Sequence, residues 1–119
     1  MTEIRSEQRH FTRITMDLPV DVKQGGSVWH QRLVDISLIG ASTDLPDVWD
    51  AQYNEPFTLT IHLDEENTVE LHAYLQHVED DKLGFSVQHV DRTNIEPLRG
   101  LLETQIDIAT LEQELRRLD

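Results

Sequence analysis

Apolar residues recur at every second position along most of the chain, and this period constrains the fold more than any other feature. Side chains of a β-strand alternate between its two faces, so a period of two predicts half-buried strands. Near the C-terminus the apolar spacing changes to three and four, which predicts helix. The sequence therefore predicts a mainly β fold in which six antiparallel strands form a small barrel, followed by one C-terminal helix or two helical segments from about residue 92. The alternating stretches are residues 14–22, 28–36, 41–45, 57–63, 69–75 and 83–90.

Two local features refine this prediction. The sequence Gln24-Gly25-Gly26-Ser27 is typical of a tight turn, so the first two strands should form a hairpin. Strict alternation along residues 69–75 and beyond would place His72 and His77 on opposite faces of their strand. The six histidines show no ligand spacing on one face, so we expect no metal site.

Composition limits the classes of function. The chain has 119 residues, which is the size of one domain, and its net charge of -13 argues against a nucleic-acid polymer as partner. It contains no cysteine, which fits a reducing cytoplasm and excludes thiolate metal sites. No apolar run approaches the roughly 20 residues needed to span a bilayer, so we expect no membrane insertion. The sequence offers no metal set and no pairing of a base with a nucleophile, so we predict no catalytic residues and no enzyme.

Two short motifs stand out against this acidic background. Arg9 and Arg13 belong to the most basic stretch of the chain, near its N-terminus. Asp35, Ser37 and Gly40 follow some two dozen residues later, where a predicted strand ends in a turn. Asp and Ser side chains bond neighbouring backbone groups in turns, and glycine permits close approaches that a Cβ would block.

The order of these motifs carries a family resemblance. Arg-x-x-x-Arg followed by Asp-x-Ser-x-x-Gly, and then by a Leu83-Gly84-Phe85 strand, resembles the signature of PilZ domains, the bacterial receptors for cyclic di-GMP. The resemblance extends from Arg9 to about Glu103. It implies a six-stranded antiparallel barrel with a C-terminal helix, in agreement with the alternation of the chain. It also implies cyclic di-GMP as the ligand and no further cofactor.

The resemblance assigns a role to each motif residue. Arg9 and Arg13 would bind phosphate and guanine, because a guanidinium presents five donors in a planar fork. Asp35 would accept hydrogen bonds from guanine N1–H and N2–H₂, which no arginine can satisfy. Ser37 would donate or accept through its hydroxyl, and Gly40 would let the ligand approach the backbone.

Three further residues complete the predicted ligand set. Gln8 precedes the first motif arginine, at a position where many relatives that bind two stacked nucleotides carry a basic residue. Because Gln8 is not basic, a complex with one nucleotide per chain is favoured. Arg5 and His10 could partly replace the missing basic residue, so the stoichiometry stays open. His77, at the end of its strand, could present its ring to a guanine.

We therefore expect a cyclic di-GMP receptor or adaptor that orders its N-terminal arm on binding and signals to an unidentified effector protein. Residues 1–8 would form the flexible arm and residues 9–119 a single PilZ-like domain. When the nucleotide binds, protection of backbone amides from hydrogen exchange should rise at residues 8–13 and around residues 35–40. It should hardly change in the helix beyond Asp107. The alternative is a ligand-independent PilZ-like adaptor for protein–protein contacts in pilus or flagellar function. The C-terminal leucine stripe should pack on the barrel, with a dimer interface as the second interpretation.

Overall fold

Seven strands and two helices make up the part of the chain that the computed structural model describes, which is residues 11–52, 55–79, 81–87 and 92–117, without the side chains of residues 92–95. All strand pairs are antiparallel, and both helices follow the last strand. The strands are β1 (Ile14–Thr15), β2 (Pro19–Gln24), β3 (Ser27–Ile36), β4 (Gly40–Asp44), β5 (Phe57–His62), β6 (Thr68–Glu79) and β7 (Lys82–Val87), and the helices are α1 (Arg92–Leu102) and α2 (Ile108–Arg117).

Six of these strands close into a barrel in the order β3-β2-β5-β6-β7-β4, because β4 pairs back onto β3. Closure leaves these strands without free edges, which is one way a sheet avoids unwanted edge-to-edge pairing. The extra strand β1 pairs with the end of β3. The prediction of a six-stranded antiparallel barrel followed by helix is confirmed, and of the two alternatives for the helical part, the structure has two helices. The predicted hairpin is also present, with Gly25 at a φ of +57° in the turn between β2 and β3.

The predicted first strand is interrupted around Asp17. Ile14 faces Ile36, whereas Pro19 faces Arg32, so one extra residue lies between the two paired segments. Such an extra residue is a β-bulge, which bends a strand and increases its twist. The segment therefore appears as two strands, β1 and β2. Between them the chain stays bonded to β3, because the N–H of Met16 donates to the carbonyl of Val34 and the carbonyl of Leu18 accepts from the N–H of Leu33.

The barrel interior is filled by the alternating apolar residues, and both helices contribute to it. Phe57 and Phe85 meet edge to face, with ring centroids 5.3 Å apart, while Phe57 stacks on Trp49 on its other side. From the helices, Leu98, Leu102 and Leu111 are almost completely buried. The leucine stripe therefore packs on the barrel, as the first of the two interpretations predicted. Ile108 at the start of α2 is 62% exposed and lies outside that packing.

A second bulge changes the direction of His77. Leu75 faces Phe85 on β7, but His77 faces Gly84, so Gln76 is the extra residue. Beyond the bulge the alternation is inverted, and His77 lies on the outer surface of the sheet together with His72. The prediction that these two histidines point to opposite faces was therefore wrong, because the period of two does not continue through a bulge.

Helix α2 begins at a side-chain cap formed by Asp107. Oδ2 of Asp107 accepts hydrogen bonds from the backbone N–H and the hydroxyl of Thr110, both at 3.1 Å. A bond from Arg99 on α1 to Glu112, at 2.7 Å, connects the two helices. Neither of the two described helices is long and apolar enough to cross a membrane.

Candidate functional site

A polar cleft of about 440 Å³ opens where the start of β1 and strands β4, β6 and β7 meet. Its volume falls within the range of small-molecule sites, which is about 300–1,000 Å³. Strands β4 and β7 are neighbours in the barrel, and Ser42 pairs with Gly84 across them. The cleft is lined by Arg13, Ile39, Gly40, Ala41, Ser42, Gln76, His77, Gly84 and Phe85.

One wall of the cleft carries a salt bridge between Arg13 and Asp35. Nη2 of Arg13 donates to Oδ1 of Asp35 at 2.8 Å, and Nε donates to the same oxygen at 3.3 Å. Strand pairing explains this contact, because Thr15 faces Asp35 and Arg13 lies two residues before Thr15 on the same side. Nη2 also reaches the hydroxyl of Ser42, at 3.5 Å. Both ionised side chains remain partly exposed, which leaves the pair accessible from solvent.

The turn from β3 to β4 is built by the second motif. The backbone N–H of Ser37 donates to the carbonyl of Gly40 at 2.8 Å, and the Ser37 hydroxyl accepts from the N–H of Ile39 at 3.2 Å. Ser37 is completely buried. A Cβ at Gly40 would come within 2.6 Å of the Phe85 carbonyl oxygen, so a side chain at this position would push β4 away from β7. Close approach of two backbones is what glycine permits here.

The opposite wall is formed by the bulge of β6. The imidazole of His77 lies directly over Gly84, where a Cβ would overlap it. The exposed Gln76 lies beside His77 in the wall. Because Gly84 has no side chain, the ring of His77 can lie close to the backbone of β7 and leave the cleft open.

The structure places the predicted ligand residues as follows. Arg13, Gly40 and His77 line the cleft, and Asp35 reaches its wall through Arg13. Ser37 lies underneath, in the turn, and its contact with a ligand stays a prediction. The predicted roles of Gln8, Arg9 and His10 fall outside the described residues.

The predicted ligand set does not include two polar side chains of the cleft, those of Ser42 and Gln76. Ser42 could have been found, because it lies two residues after Gly40 on the same strand and therefore on the same face. The alternation places Gln76 on the outer face of β6, but its position beside His77 depends on a bulge that the polar and apolar pattern does not reveal.

The residues just before β1 are held by contacts of their own. Phe11 packs against the core. Thr12 turns towards α2, where its backbone N–H donates to both carboxylate oxygens of Glu114 at 3.1 Å and its hydroxyl donates to Oε2 at 2.5 Å. Glu114 is only 3% exposed. Thr12 and Arg13 therefore have partners on different elements, α2 and β3.

A second polar cluster lies outside the cleft and joins strands β2, β3 and β5. Asp21 accepts from His30 at 2.7 Å and from His62 at 3.0 Å, if each ring carries its proton on the facing nitrogen. Partial burial would raise the pKa of Asp21, but the hydrogen bonds from His62 and His30 outweigh it and lower the pKa below 3.8. Across the described ranges, no three histidine or carboxylate side chains are arranged to hold a metal ion.

The closed barrel and its outer cleft define a small β-barrel domain with a polar site on the outside of the sheet. The sequence profile of the PilZ domain matches residues 7–104, and the chain belongs to the PilZ domain family.

Solved structures of similar fold agree with this assignment. The PilZ domain of YcgR from Escherichia coli, solved with c-di-GMP, superposes with a TM-score of 0.65 over 90% of this chain and 93% of that one, at 20% identity. The PilZ domain of CeSA from a cellulose-synthesizing bacterium gives 0.59 over 76% of this chain and 97% of that one, also at 20% identity. The inhibitor of motility MotI/DgrA of Bacillus subtilis gives 0.61 at 20% identity over 80% of this chain. The match spans 49% of the length of the Bacillus protein.

Proposed function

We propose that the chain is a non-catalytic receptor for cyclic di-GMP that binds the nucleotide in this cleft and signals to a partner protein. The observation that carries the proposal is the Arg13–Asp35 pair on the wall of a 440 Å³ cleft in a PilZ domain. The similar structure of YcgR with c-di-GMP supports the choice of ligand.

The cleft offers complementary groups for both parts of such a ligand. Arg13 supplies charge-assisted donors for a phosphate or a guanine edge. Asp35 supplies the acceptor that guanine N1–H and N2–H₂ require, and the hydroxyl of Ser42 can donate or accept. The ring of His77 can stack against a base. The remaining motif residues, Arg9 with Gln8 and His10, would add contacts from the arm.

The salt bridge does not prevent binding. A solvent-exposed ion pair contributes about 0–1 kcal/mol, whereas a hydrogen bond to a charged group contributes about 1.5–3 kcal/mol. A phosphate can therefore take over donors of Arg13 at little cost, and Asp35 then becomes available to a guanine. The pair keeps both side chains in position before the ligand arrives.

The proposed signal is an ordering of the N-terminal arm. Fixing one backbone residue costs about 1–2 kcal/mol, so ordering must be driven by contacts made only in the bound state. Residues 11–13 are already held in the structure by contacts with the core, Glu114 and Asp35, none of which requires a ligand. The binding energy is therefore needed mainly for the preceding residues, which carry Arg9.

Isothermal titration calorimetry tests the proposal directly. We expect saturable binding of cyclic di-GMP with a Kd of about 1 μM or tighter, equivalent to about -8 kcal/mol. The same titration gives the number of nucleotides bound per chain. Cyclic di-AMP is the matched control, since it has the same phosphates with different base edges and should bind at least tenfold more weakly. A folded protein that gives no heat at tens of micromolar would instead favour the ligand-independent adaptor.

A further inference from the structure

The carboxylate of Glu114 in α2 is buried against the segment that carries the first motif. Both of its oxygens accept the backbone N–H of Thr12 at 3.1 Å, and Oε2 also accepts the Thr12 hydroxyl at 2.5 Å. The two residues are 102 positions apart in the sequence. The contact joins the end of the last helix to the start of the barrel.

Burial of Glu114 increases the free-energy cost of breaking this contact. Glu114 is 3% exposed, and a carboxylate removed from water is costly unless hydrogen bonds replace its hydration. Hydrogen bonds to an ionised acceptor are the stronger ones, and a buried acceptor that loses its donor leaves the full desolvation cost. The conformation in which Thr12 is bonded to Glu114 is therefore strongly favoured over conformations that break this contact.

The helix that carries Glu114 is itself firmly attached. Leu111, one turn earlier, is 1% exposed in the core, and Leu115 packs against the same core. The bond from Arg99 of α1 to the adjacent Glu112, at 2.7 Å, adds little to this attachment, because both side chains are partly exposed. The packing of its helix therefore holds Glu114 in place, and the residue that it binds, Thr12, precedes Arg13 in the sequence.

We propose that Glu114 is a positioning residue that holds Arg13 at the cleft from the C-terminal helix by fixing Thr12. The part of this inference that concerns nucleotide affinity rests on the proposed function. If α2 favours the binding position of Arg13, then bound nucleotide must favour the docked α2 to the same extent, since coupling between two sites is reciprocal. Backbone amides of helix α2 should therefore exchange more slowly when the nucleotide is bound. The sequence instead predicts that amide protection beyond Asp107 hardly changes.

The test uses matched substitutions on one helix. Glu114→Met keeps the length of the side chain but removes the strong acceptors, whereas Glu114→Gln retains one acceptor oxygen. Glu112→Met is the control, because it makes the same change two residues away and breaks the contact with Arg99 instead. Thr12→Val removes the hydroxyl donor and leaves the backbone N–H.

The first measurement needs no nucleotide. Proton exchange at the Nε–H of Arg13, which is bonded to Asp35, reports directly whether this guanidinium stays in place. We expect exchange at least tenfold faster in Glu114→Met than in Glu112→Met, with Glu114→Gln close to the unsubstituted protein. Equal exchange in the two methionine variants would overturn the proposal, whatever the protein binds.

The second measurement is the affinity for cyclic di-GMP. Glu114→Met should weaken binding about tenfold relative to Glu112→Met, which is equivalent to about 1.4 kcal/mol. Adding Thr12→Val to Glu114→Met should cause little further loss, because both act through one contact. Equal affinities in Glu114→Met and Glu112→Met, or fully additive losses, would contradict a positioning role. If the unsubstituted protein binds no nucleotide, the proposed function fails while the exchange measurement still decides the role of Glu114.

Discussion

Arg13 donates two hydrogen bonds to a single oxygen of Asp35, at 2.8 Å and 3.3 Å, although 22 residues separate the two side chains. The pair joins the residue before β1 to the end of β3 and forms one wall of the cleft. It brings the two sequence motifs into direct contact.

The guanidinium of Arg13 should be essential for affinity. Arg13→Ala should weaken cyclic di-GMP binding at least tenfold in calorimetry, because a lost contact to a charged group costs about 1.5–3 kcal/mol. Arg13→Lys should not restore affinity, since an ammonium lacks the planar fork. Arg116→Ala, an exposed change in α2, is the control and should leave Kd unchanged. An equal loss in both alanine variants would indicate general electrostatics rather than a specific contact.

Substitution of Asp35 tests whether its carboxylate increases or decreases the affinity for the anionic nucleotide. Asp35→Ala makes the protein less negative and frees Arg13, so simple charge repulsion predicts tighter binding of an anion. If Asp35 accepts guanine N–H groups, the substitution must instead weaken binding, and we expect a loss of at least fivefold. Improved affinity in the same titration would remove Asp35 from the ligand set.

The contact between His77 and Gly84 can be tested with one methyl group. In Gly84→Ala the added Cβ would overlap the imidazole of His77, which must move and narrow the cleft. We expect nucleotide affinity to fall several-fold, while the free energy of unfolding changes by less than about 1 kcal/mol, because His77 is exposed and can shift. Gly26→Ala, in the hairpin turn with open space around it, is the control. Unchanged affinity in Gly84→Ala would show that this wall does not touch the ligand.

Two apolar residues of helix α2, Leu111 and Ile108, should differ in their effect on stability. Leu111→Ala should lower the free energy of unfolding by about 2–5 kcal/mol, as is typical of truncating a buried leucine. Ile108→Ala should cost less than about 0.5 kcal/mol, because that side chain is mostly exposed. Urea denaturation measures both. A large loss at Ile108 that depends on protein concentration would instead indicate a dimer interface.

The Asp21 cluster should contribute a pH-dependent part of the stability. The pKa of Asp21 is lowered in the folded state, so its contribution is present above the unfolded value of about 3.8 and is lost as the pH falls through the lower folded value. Asp21→Asn should therefore be less stable than the unsubstituted protein at pH 7, and the difference should shrink towards pH 3. Denaturation at both pH values checks this, with Asp50→Asn in the exposed loop before β5 as control. A difference that stays constant would assign the effect to packing.

The fold could be predicted largely from the sequence, because alternation reports directly which face of each strand is buried. Pro19 indicates the irregularity near Asp17, because proline within a strand favours an edge or a bulge. The bulge at Gln76 could not be predicted, since one extra residue in a strand leaves no mark in the polar and apolar pattern. For the same reason His77 was placed on the wrong face, although its place in the ligand set agrees with its position in the cleft. Glu114 was missed because a polar residue in an amphipathic helix normally faces solvent.

The contact between Thr12 and Glu114 also has a consequence for synthesis. Closing a contact over 102 residues requires almost the whole domain, and such long-range contacts form late because their entropy cost precedes any gain. On the ribosome the barrel strands emerge before α2, so Thr12 has no acceptor until residue 114 has been translated and has left the exit tunnel. A nascent chain that already contains every strand would still lack the clamp on its first motif. If the cleft binds the proposed nucleotide, full affinity would then be reached only after α2 docks.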